Sequence, residues 1–277
     1  MLNLEKISTE ARNEASSKID RVSTLEMLQI INNEDKKVAE AIEVILPTIA
    51  EAVDLIAKKL QAGGRLLYVG SGTSGRLGVL DAAECPPTYS TSPEMVQGLI
   101  AGGAQAMFVA QEGAEDSEEL GERALQEKNI SAKDVVVGLT ASGRTPYVLG
   151  ALRYAKSCQA ATISIACSKE PVVGALADLS LVALVGPEVV TGSTRMKAGT
   201  AQKMILNMLS TGAMIKLGKV YGNLMVDVKA TNKKLEARCL GIVLTVTGCT
   251  EQKAQRALTA CGGSARKAIE ALGRKDE

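Results

Sequence analysis

Two short turns rich in glycine and hydroxyl side chains are the parts of this sequence best suited to chemistry. In the first, an apolar β-type run at 66–69 is followed by Gly-Ser-Gly-Thr-Ser-Gly at 70–75 and then by a helical pattern. This order places backbone N–H groups and small hydroxyls beside a helix N-terminus, which favours a bound anion, usually a phosphate. The spacing fits neither G-x-x-x-x-G-K-[ST] nor a clean G-x-G-x-x-G. It therefore favours a small phosphorylated metabolite over a nucleotide.

A second turn repeats the first. The apolar run Val135–Leu139 leads into Thr-Ala-Ser-Gly-Arg-Thr at 140–145 and then into another helical pattern. Both turns contain Ser-Gly-Arg, at 74–76 and at 142–144. One such turn would be explained by the geometry of glycine and serine alone. Two with the same core favour a ligand site at the carboxyl edge of one parallel sheet.

Charged residues lie near these turns. Glu84 follows the first turn on its helical pattern, just before Pro86-Pro87, which we expect to end that helix. Three carboxylates cluster at 112–116, although acidic residues are also common in the first turn of a helix. Hydroxyls, Arg195 and Lys197 precede a long apolar helical pattern, and these cations could neutralise a phosphate or a carboxylate.

The absence of histidine restricts the acid–base chemistry. None of the 277 residues is His, so proton transfer near neutral pH must use Glu, Asp, Lys, Cys or Tyr. Ser-His-Asp and Cys-His arrangements and His-ligated metal sites are excluded. The six cysteines show no C-x-x-C spacing, which disfavours a zinc site and is typical of reduced thiols in a cytosolic protein.

Charge and composition exclude further function classes. The formal net charge is +1, and only 2% of the residues are aromatic, so there is neither a basic field nor a stacking surface for nucleic acid. The first ten residues include charges and no apolar signal-peptide core, and no apolar run is long enough to span a bilayer. We therefore expect a cytoplasmic protein with no nucleic-acid or membrane partner.

Alternating strand and helix patterns predict an α/β fold with a doubly wound, mainly parallel five-stranded sheet. An N-terminal helical arm is expected before it, with a capping box at 23–26 and a helix break at Asn32-Asn33. The stretch 204–215 is apolar nearly all round, which predicts a helix buried in the core or between subunits. Short helices form a C-terminal appendix. The predicted parts are 1–55, 56–219 and 220–277, and the predicted strands are 66–69, 95–100, 135–139, 161–165 and 179–184.

Several long motifs resemble those of bacterial N-acetylmuramic acid 6-phosphate etherases. The resemblance runs from about residue 7 onward and is carried by Gly70–Tyr89, Glu112–Ser117, Ala141–Tyr147 and Thr191–Lys203, with shorter matches at 20–26 and 223–228. It implies a sugar isomerase (SIS) domain, a homodimer and a phosphosugar substrate. It also implies cleavage of the D-lactyl ether at C3 of the open-chain sugar, in the recycling of cell-wall amino sugars.

The resemblance also assigns roles to residues. The aldehyde at C1 acidifies the C2 proton, one carboxylate removes that proton, a carboxylic acid protonates the departing lactate, and water then adds. Neither a metal nor another cofactor is needed. By position, Glu84 resembles the general acid and Glu115 the general base, and their environments should separate their pKa values. The implied substrate-binding residues are Ser71, Thr73, Ser74, Gly75, Ser142, Gly143, Thr145, Arg195 and Lys197, of which the four at 73, 74, 142 and 145 would hold the 6-phosphate.

Two other functions fit parts of the pattern. A regulatory SIS protein would bind a phosphosugar without turnover, and it predicts loss of one catalytic carboxylate, whereas Glu84 and Glu115 are both present. An aldose–ketose phosphosugar isomerase shares proton abstraction at C2. It would not need an acid placed for a leaving group at C3.

Overall fold

A five-stranded parallel sheet forms the centre of the molecule, as the sequence predicts. The computed structural model describes residues 8–111, 113–228 and 233–273. The strands are β1 (Leu66–Gly70), β2 (Val96–Ile100), β3 (Val135–Leu139), β4 (Ala161–Ala166) and β5 (Leu179–Val182). Their order in the sheet is β2-β1-β3-β4-β5.

Helices cover both faces of this sheet. Alternate residues of a strand point to opposite faces, so Leu66 and Tyr68 of β1 join one core while Leu67 and Val69 join the other. These helices are α1 (Thr24–Glu43), α2 (Leu46–Gln61), α3 (Gly72–Tyr89), α4 (Glu118–Gln126), α5 (Pro146–Ser157) and α6 (Lys197–Lys216). The first core lies under α1, α2, α3 and α6, and the second under α4 and α5.

Three short helices near the C-terminus form a separate small core. They are α7 (Lys233–Thr247), α8 (Glu251–Ala260) and α9 (Ala265–Leu272), and they pack around Val243, Ala254 and Ala268. Asp227 ties this appendix to the rest of the chain, because it pairs with Lys219 at 3.0 Å and with Arg266. At the other end, α2 runs across the expected boundary at 55–56 and packs on the sheet core.

Two predicted helix breaks are wrong. Ser23 caps α1 by accepting from the Glu26 N–H, as predicted, but α1 continues through Asn32-Asn33 to Glu43. Asn lowers helix stability by less than about 1 kcal/mol, and burial of Val38 and Ile42 outweighs that loss.

Helix α3 likewise passes Pro86-Pro87 and ends at Tyr89. The side chains of Cys85 and Tyr89 are buried in the core on either side of the two prolines, so the last turn is fixed by packing. Ser90 then ends the helix in the left-handed conformation and donates its N–H to Pro86 O at 2.9 Å. The prolines therefore lie within the helix and do not end it.

The apolar helix α6 is buried within its own chain. Residues such as Ile205, Leu206 and Leu209 are fully buried, and α6 packs against α1, α2 and α3. Of the two predicted locations for this helix, the core and a subunit interface, the structure shows the core. The exposed apolar residues of the arm are different, since Leu25 and Leu28 of α1 remain 68% and 56% exposed.

Buried charges fix the N-terminus of α6. Glu188 accepts from the N–H groups of Lys197 at 3.0 Å and Ala198 at 2.9 Å, and so caps the helix with a carboxylate. The Lys197 ammonium donates to Glu34 of α1 at 2.6 Å, with only 1% and 4% of the two side chains exposed. Burial alone would raise the pKa of Glu34, but hydrogen bonds from Lys197, Lys37 and Asn13 outweigh it and lower the pKa from 4.5 to about 2.

Substitution of Glu34 should test this anchor. Glu34→Gln leaves the Lys197 ammonium buried without a carboxylate, so we expect a loss of about 3–5 kcal/mol in the free energy of unfolding, measured by urea titration. Because the Glu34 pKa is lowered on folding, the wild-type contribution should be complete above pH 4.5 and fall as the pH drops toward 2.

Two control variants separate this effect from a general loss of charge. The double variant Glu34→Leu/Lys197→Met removes both charges and should recover most of the stability. Asp54→Asn breaks the exposed Asp54–Lys216 pair and should change stability by less than about 1 kcal/mol. Equal losses of unfolding free energy in Glu34→Gln and Asp54→Asn would show that the Glu34–Lys197 pair does not anchor α6.

Candidate functional site

The two hydroxyl-rich turns lie side by side. Strands β1 and β3 pair in parallel, with Gly70 opposite Leu139, so the residues that follow both strands meet at the carboxyl edge of the sheet. The strand order reverses between β1 and β3. This is the topological switch point, where open α/β sheets bind ligands. The structure thus confirms that both turns occupy one edge.

The first turn binds one of the two predicted catalytic carboxylates, Glu115, through a hydrogen bond. The Ser71 hydroxyl donates to Glu115 Oε2 at 3.1 Å, although Ser71 occupies the N-cap position of α3. No side chain of the described residues caps this helix, which leaves its first N–H groups facing the turn. Glu115 lies in a short 3₁₀ segment, Ala114–Asp116, and lines a cavity of about 140 Å³ with Ser71 and Arg76. Glu112 of the same acidic cluster lies outside the described residues.

The second turn is held by a cluster of three hydroxyls. Thr140 Oγ1 lies 2.8 Å from Thr145 Oγ1 and 3.4 Å from Ser142 Oγ, and it accepts from the Gly143 N–H at 3.2 Å. Sequence reasoning did not single out Thr140, although its position directly after β3 was the available signal. Thr145 precedes α5, and no side chain of the described residues caps that helix either. The switch point therefore presents two helix N-termini without side-chain caps.

The two predicted glycines allow close packing at these turns. A Cβ at Gly75 would lie 2.6 Å from Gly70 O, so α3 can begin this close to β1 only with glycine there. Gly143 has φ +74°, and a Cβ there would lie 2.3 Å from the Cβ of Pro171. Both glycines thus shape the turns through the backbone.

Thr73 and Ser74 face the start of α6. The methyl carbon of Thr73 approaches Gly199, and the Ser74 hydroxyl donates to Gln202 Oε1 at 2.9 Å. Gln202 is buried, and its Nε2 has no hydrogen-bond partner among the described residues. Gln202 lies within the motif at 191–203, but no pattern in the sequence predicted its contact with Ser74. Binding of a phosphate by Ser74 requires its hydroxyl to exchange Gln202 for the phosphate.

The two predicted cations have different environments. Arg195 is exposed and pairs with no carboxylate of the described residues. Lys197 is buried in the ion pair with Glu34, so its ammonium does not face the switch point. In this structure Lys197 thus positions the start of α6, whereas the sequence predicted contact with substrate.

The second predicted catalytic carboxylate lies elsewhere. Glu84 is exposed on α3, twelve residues past Gly72, which at ~1.5 Å per residue places it about 18 Å further along the helix axis. It lines a cavity of about 340 Å³ between α3 and α6, which we call the α3–α6 cavity. Within one chain, Glu84 and Glu115 do not meet.

Comparison with known proteins identifies the family. The chain is 61% identical over 93% of its length to "N-acetylmuramic acid 6-phosphate etherase" of Clostridium beijerinckii, covering 84% of that protein. It is 59% identical over 97% of its length to the protein of the same name from Photorhabdus laumondii, covering 89% of it. The chain belongs to the N-acetylmuramic acid 6-phosphate etherase family. Residues 48–156 also match the family "Glucokinase regulatory protein N-terminal SIS domain".

Solved structures agree on the fold of this etherase-family chain. Phosphoheptose isomerase GmhA from Neisseria gonorrhoeae superposes with a TM-score of 0.51 at 15% identity, covering 69% of this chain and 98% of that one. At that identity the likeness concerns the SIS fold alone. In the described part of the chain, no group of three or more His, Cys, Asp or Glu side chains could hold a metal ion. Nor does any helix described in the structure have the length and apolar character to cross a membrane.

The second turn of this etherase-family chain gives a direct test of the switch-point site. Gly143→Ala forces both a left-handed alanine and a clash with Pro171, so we expect binding of a hexose 6-phosphate to weaken at least tenfold by calorimetry. The matched control is Gly63→Ala, which has a similar φ of +80° but no atom within 4 Å of the added Cβ. Gly63→Ala should lower the free energy of unfolding by only about 1–2 kcal/mol, the cost of a left-handed alanine, and should keep the affinity for the sugar phosphate. Unchanged binding by Gly143→Ala would place the ligand elsewhere.

Proposed function

We propose that this chain cleaves the D-lactyl ether of N-acetylmuramic acid 6-phosphate, yielding N-acetylglucosamine 6-phosphate and D-lactate. The observation that carries the proposal is the Glu115 carboxylate, held by Ser71 beside two helix N-termini without side-chain caps. The names of the close relatives point to the same reaction. The six free cysteines suit a reducing compartment, and we place the reaction in the cytoplasm.

The 6-phosphate binds at the switch point. The N–H groups at the start of α3 and the hydroxyls of Thr73, Ser74, Ser142 and Thr145 supply the donors. The helix dipoles of α3 and α5 add partial positive charge where the phosphate sits. Exposed Arg195 is close in sequence to the residues that pack on Thr73, and it supplies a full charge.

Glu115 acts as the general base. With the phosphate at the start of α3, the open-chain sugar extends over the cavity that Ser71 and Glu115 share. The C1 aldehyde acidifies the C2 proton, which Glu115 removes. The C3–O bond then breaks, the lactate oxygen takes a proton from Glu84, and water adds at C3 of the unsaturated aldehyde. Both proton transfers use carboxyl groups, as a chain without histidine requires.

The position of Glu84 requires a second copy of the chain. The separation of about 18 Å from the start of α3 exceeds the length of a hexose 6-phosphate. A two-fold dimer in which the α3 helices lie antiparallel would bring the partner subunit's Glu84 to the first turn of this chain. Leu80, which is 47% exposed on α3 beside Glu84, supplies apolar contact area for such an interface, as Leu25 and Leu28 do on α1. We therefore infer a homodimer with two composite sites.

Incubation with N-acetylmuramic acid 6-phosphate and an assay for D-lactate test the reaction. Wild type should release D-lactate and exchange the C2 proton with deuterated solvent. Glu115→Gln should lose both, because no base remains. Glu84→Gln should stop release but keep some exchange, since deprotonation beside the aldehyde does not need the leaving group. Each loss should be about 10²- to 10⁴-fold.

Several outcomes would reject this division of roles. Near-normal lactate release by either variant would overturn the mechanism. Exchange without lactate release by wild type would instead support an aldose–ketose isomerase. Binding of the sugar phosphate by wild type with neither proton exchange nor lactate release would support a regulatory phosphosugar-binding protein.

Mixed dimers test the composite site. Glu84→Gln and Glu115→Gln chains are unfolded together, refolded at equal concentrations and assayed for D-lactate. If each site takes its two carboxylates from different chains, a mixed dimer has one intact site and one site without either. Half of the dimers are mixed, so activity should recover to about one quarter of wild type. No recovery by a preparation that sedimentation shows to contain mixed dimers would place both carboxylates of a site in one chain.

A further inference from the structure

The α3–α6 cavity contains a combination of groups that the proposed mechanism does not use. Besides Glu84, it is lined by a second carboxylate, Asp81, by Leu77, Leu80 and Leu206, by Asn207, and by Lys203, the one cation among its described lining residues. Its volume of about 340 Å³ exceeds what a single proton-donating carboxyl group needs. Leu80 and Lys203 are exposed, so the cavity opens toward solvent beside Glu84.

A chain of hydrogen bonds that begins at buried Asp81 holds Lys203 at this cavity. Asp81 is buried and accepts from Tyr68 Oη at 2.9 Å and from Ser210 Oγ at 3.1 Å. With the Asn207 amide oriented so that its oxygen faces the ammonium, Asn207 donates to Asp81 Oδ1 at 3.1 Å and accepts from Lys203 Nζ at 2.6 Å. An ammonium has three donors, so this contact leaves two for a ligand. Asp81 thereby fixes a lysine side chain that would otherwise be free to move.

These groups match the leaving group of the proposed reaction. The D-lactyl substituent consists of the ether oxygen, a methyl group and a carboxylate. An acid that protonates the ether oxygen must lie within hydrogen-bond reach of it, so the lactyl group must lie near Glu84. We propose that the α3–α6 cavity binds the lactyl group, with Lys203 pairing with its carboxylate and Leu77 and Leu80 contacting its methyl group. This inference rests on the proposed function and holds whichever chain supplies the phosphate site.

Lys203 then determines specificity, and Asn207 positions it. The carboxylate sits on the carbon that carries the departing oxygen, so its pairing with an ammonium lowers the repulsion that this oxygen meets as it gains negative charge. Loss of Lys203 should therefore lower both binding and turnover for the carboxylate-bearing ether. It should affect an uncharged ether much less.

The test compares two ethers on one sugar. One is N-acetylmuramic acid 6-phosphate, and the other is its lactamide analogue, in which a neutral carboxamide of similar shape replaces the carboxylate. Formation of N-acetylglucosamine 6-phosphate gives kcat/KM for each. Wild type should prefer the carboxylate, and Lys203→Met should lower that preference roughly 10- to 100-fold, the effect of one charge-assisted hydrogen bond. Lys203→Arg should retain part of the preference.

Two further variants complete the design. Lys216→Met removes an exposed lysine of α6 that pairs with Asp54, and it should leave the preference unchanged. Asn207→Leu should lower the preference in wild type but add nothing to Lys203→Met, because it acts through the lysine.

Equal effects of Lys203→Met on both ethers, or no effect on either, would overturn the lactyl cavity while leaving the etherase reaction in place. Failure of wild type to cleave either ether would overturn the proposed function, and this inference with it.

Discussion

The parallel pairing of β1 with β3 determines where every proposed phosphate contact lies. Because Gly70 and Leu139 are opposite one another, the two Ser-Gly-Arg turns meet at the point where strand order reverses. Helices α3 and α5 both begin there without a side-chain cap, and Ser71 at the N-cap of α3 donates to Glu115. One serine hydroxyl thus does two things. It leaves helix donors available for an anion and orients the carboxylate that faces the sugar.

The second requirement is a fixed start to α6, because this helix packs on the first hydroxyl-rich turn and also lines the α3–α6 cavity. Glu188 caps it and the Glu34–Lys197 pair ties it to the N-terminal arm. Asn13 and Ser16 of the arm also donate to the carbonyls of Pro187 and Val189, in the loop before α6. The N-terminal arm therefore fixes the loop before α6 in addition to covering apolar surface. A buried pair of this kind adds little net stability, but it defines one arrangement of the elements it joins.

Sequence reasoning reached the sheet and both turns, because these depend on local periodicity and on the geometry of βα turns. It failed where contacts between residues far apart in the chain determine how far a helix runs or where a side chain points. The helix through Pro86-Pro87 continues because Tyr89 is buried. Lys197 turns inward because it pairs with Glu34, which lies 163 residues away in the chain. The role of Asp81 was also out of reach, since its partners Tyr68 and Ser210 come from a strand and a distant helix. No pattern along the chain reports such contacts.

Recognition of a substrate with two anionic ends is the feature that connects these observations. With a net charge of only +1, the chain has no overall field to attract such a molecule, so local groups must do so. In the proposed sites, backbone donors and helix dipoles bind the phosphate, while a single ammonium, held through Asn207 by buried Asp81, binds the carboxylate. The ether bond lies between these two ends. Since α3 begins at the proposed phosphate site and carries Asp81 about 14 Å and Glu84 about 18 Å further along, the proposed mechanism takes the two ends of α3 from a pair of chains. The length of α3 is thus itself an argument for the dimer.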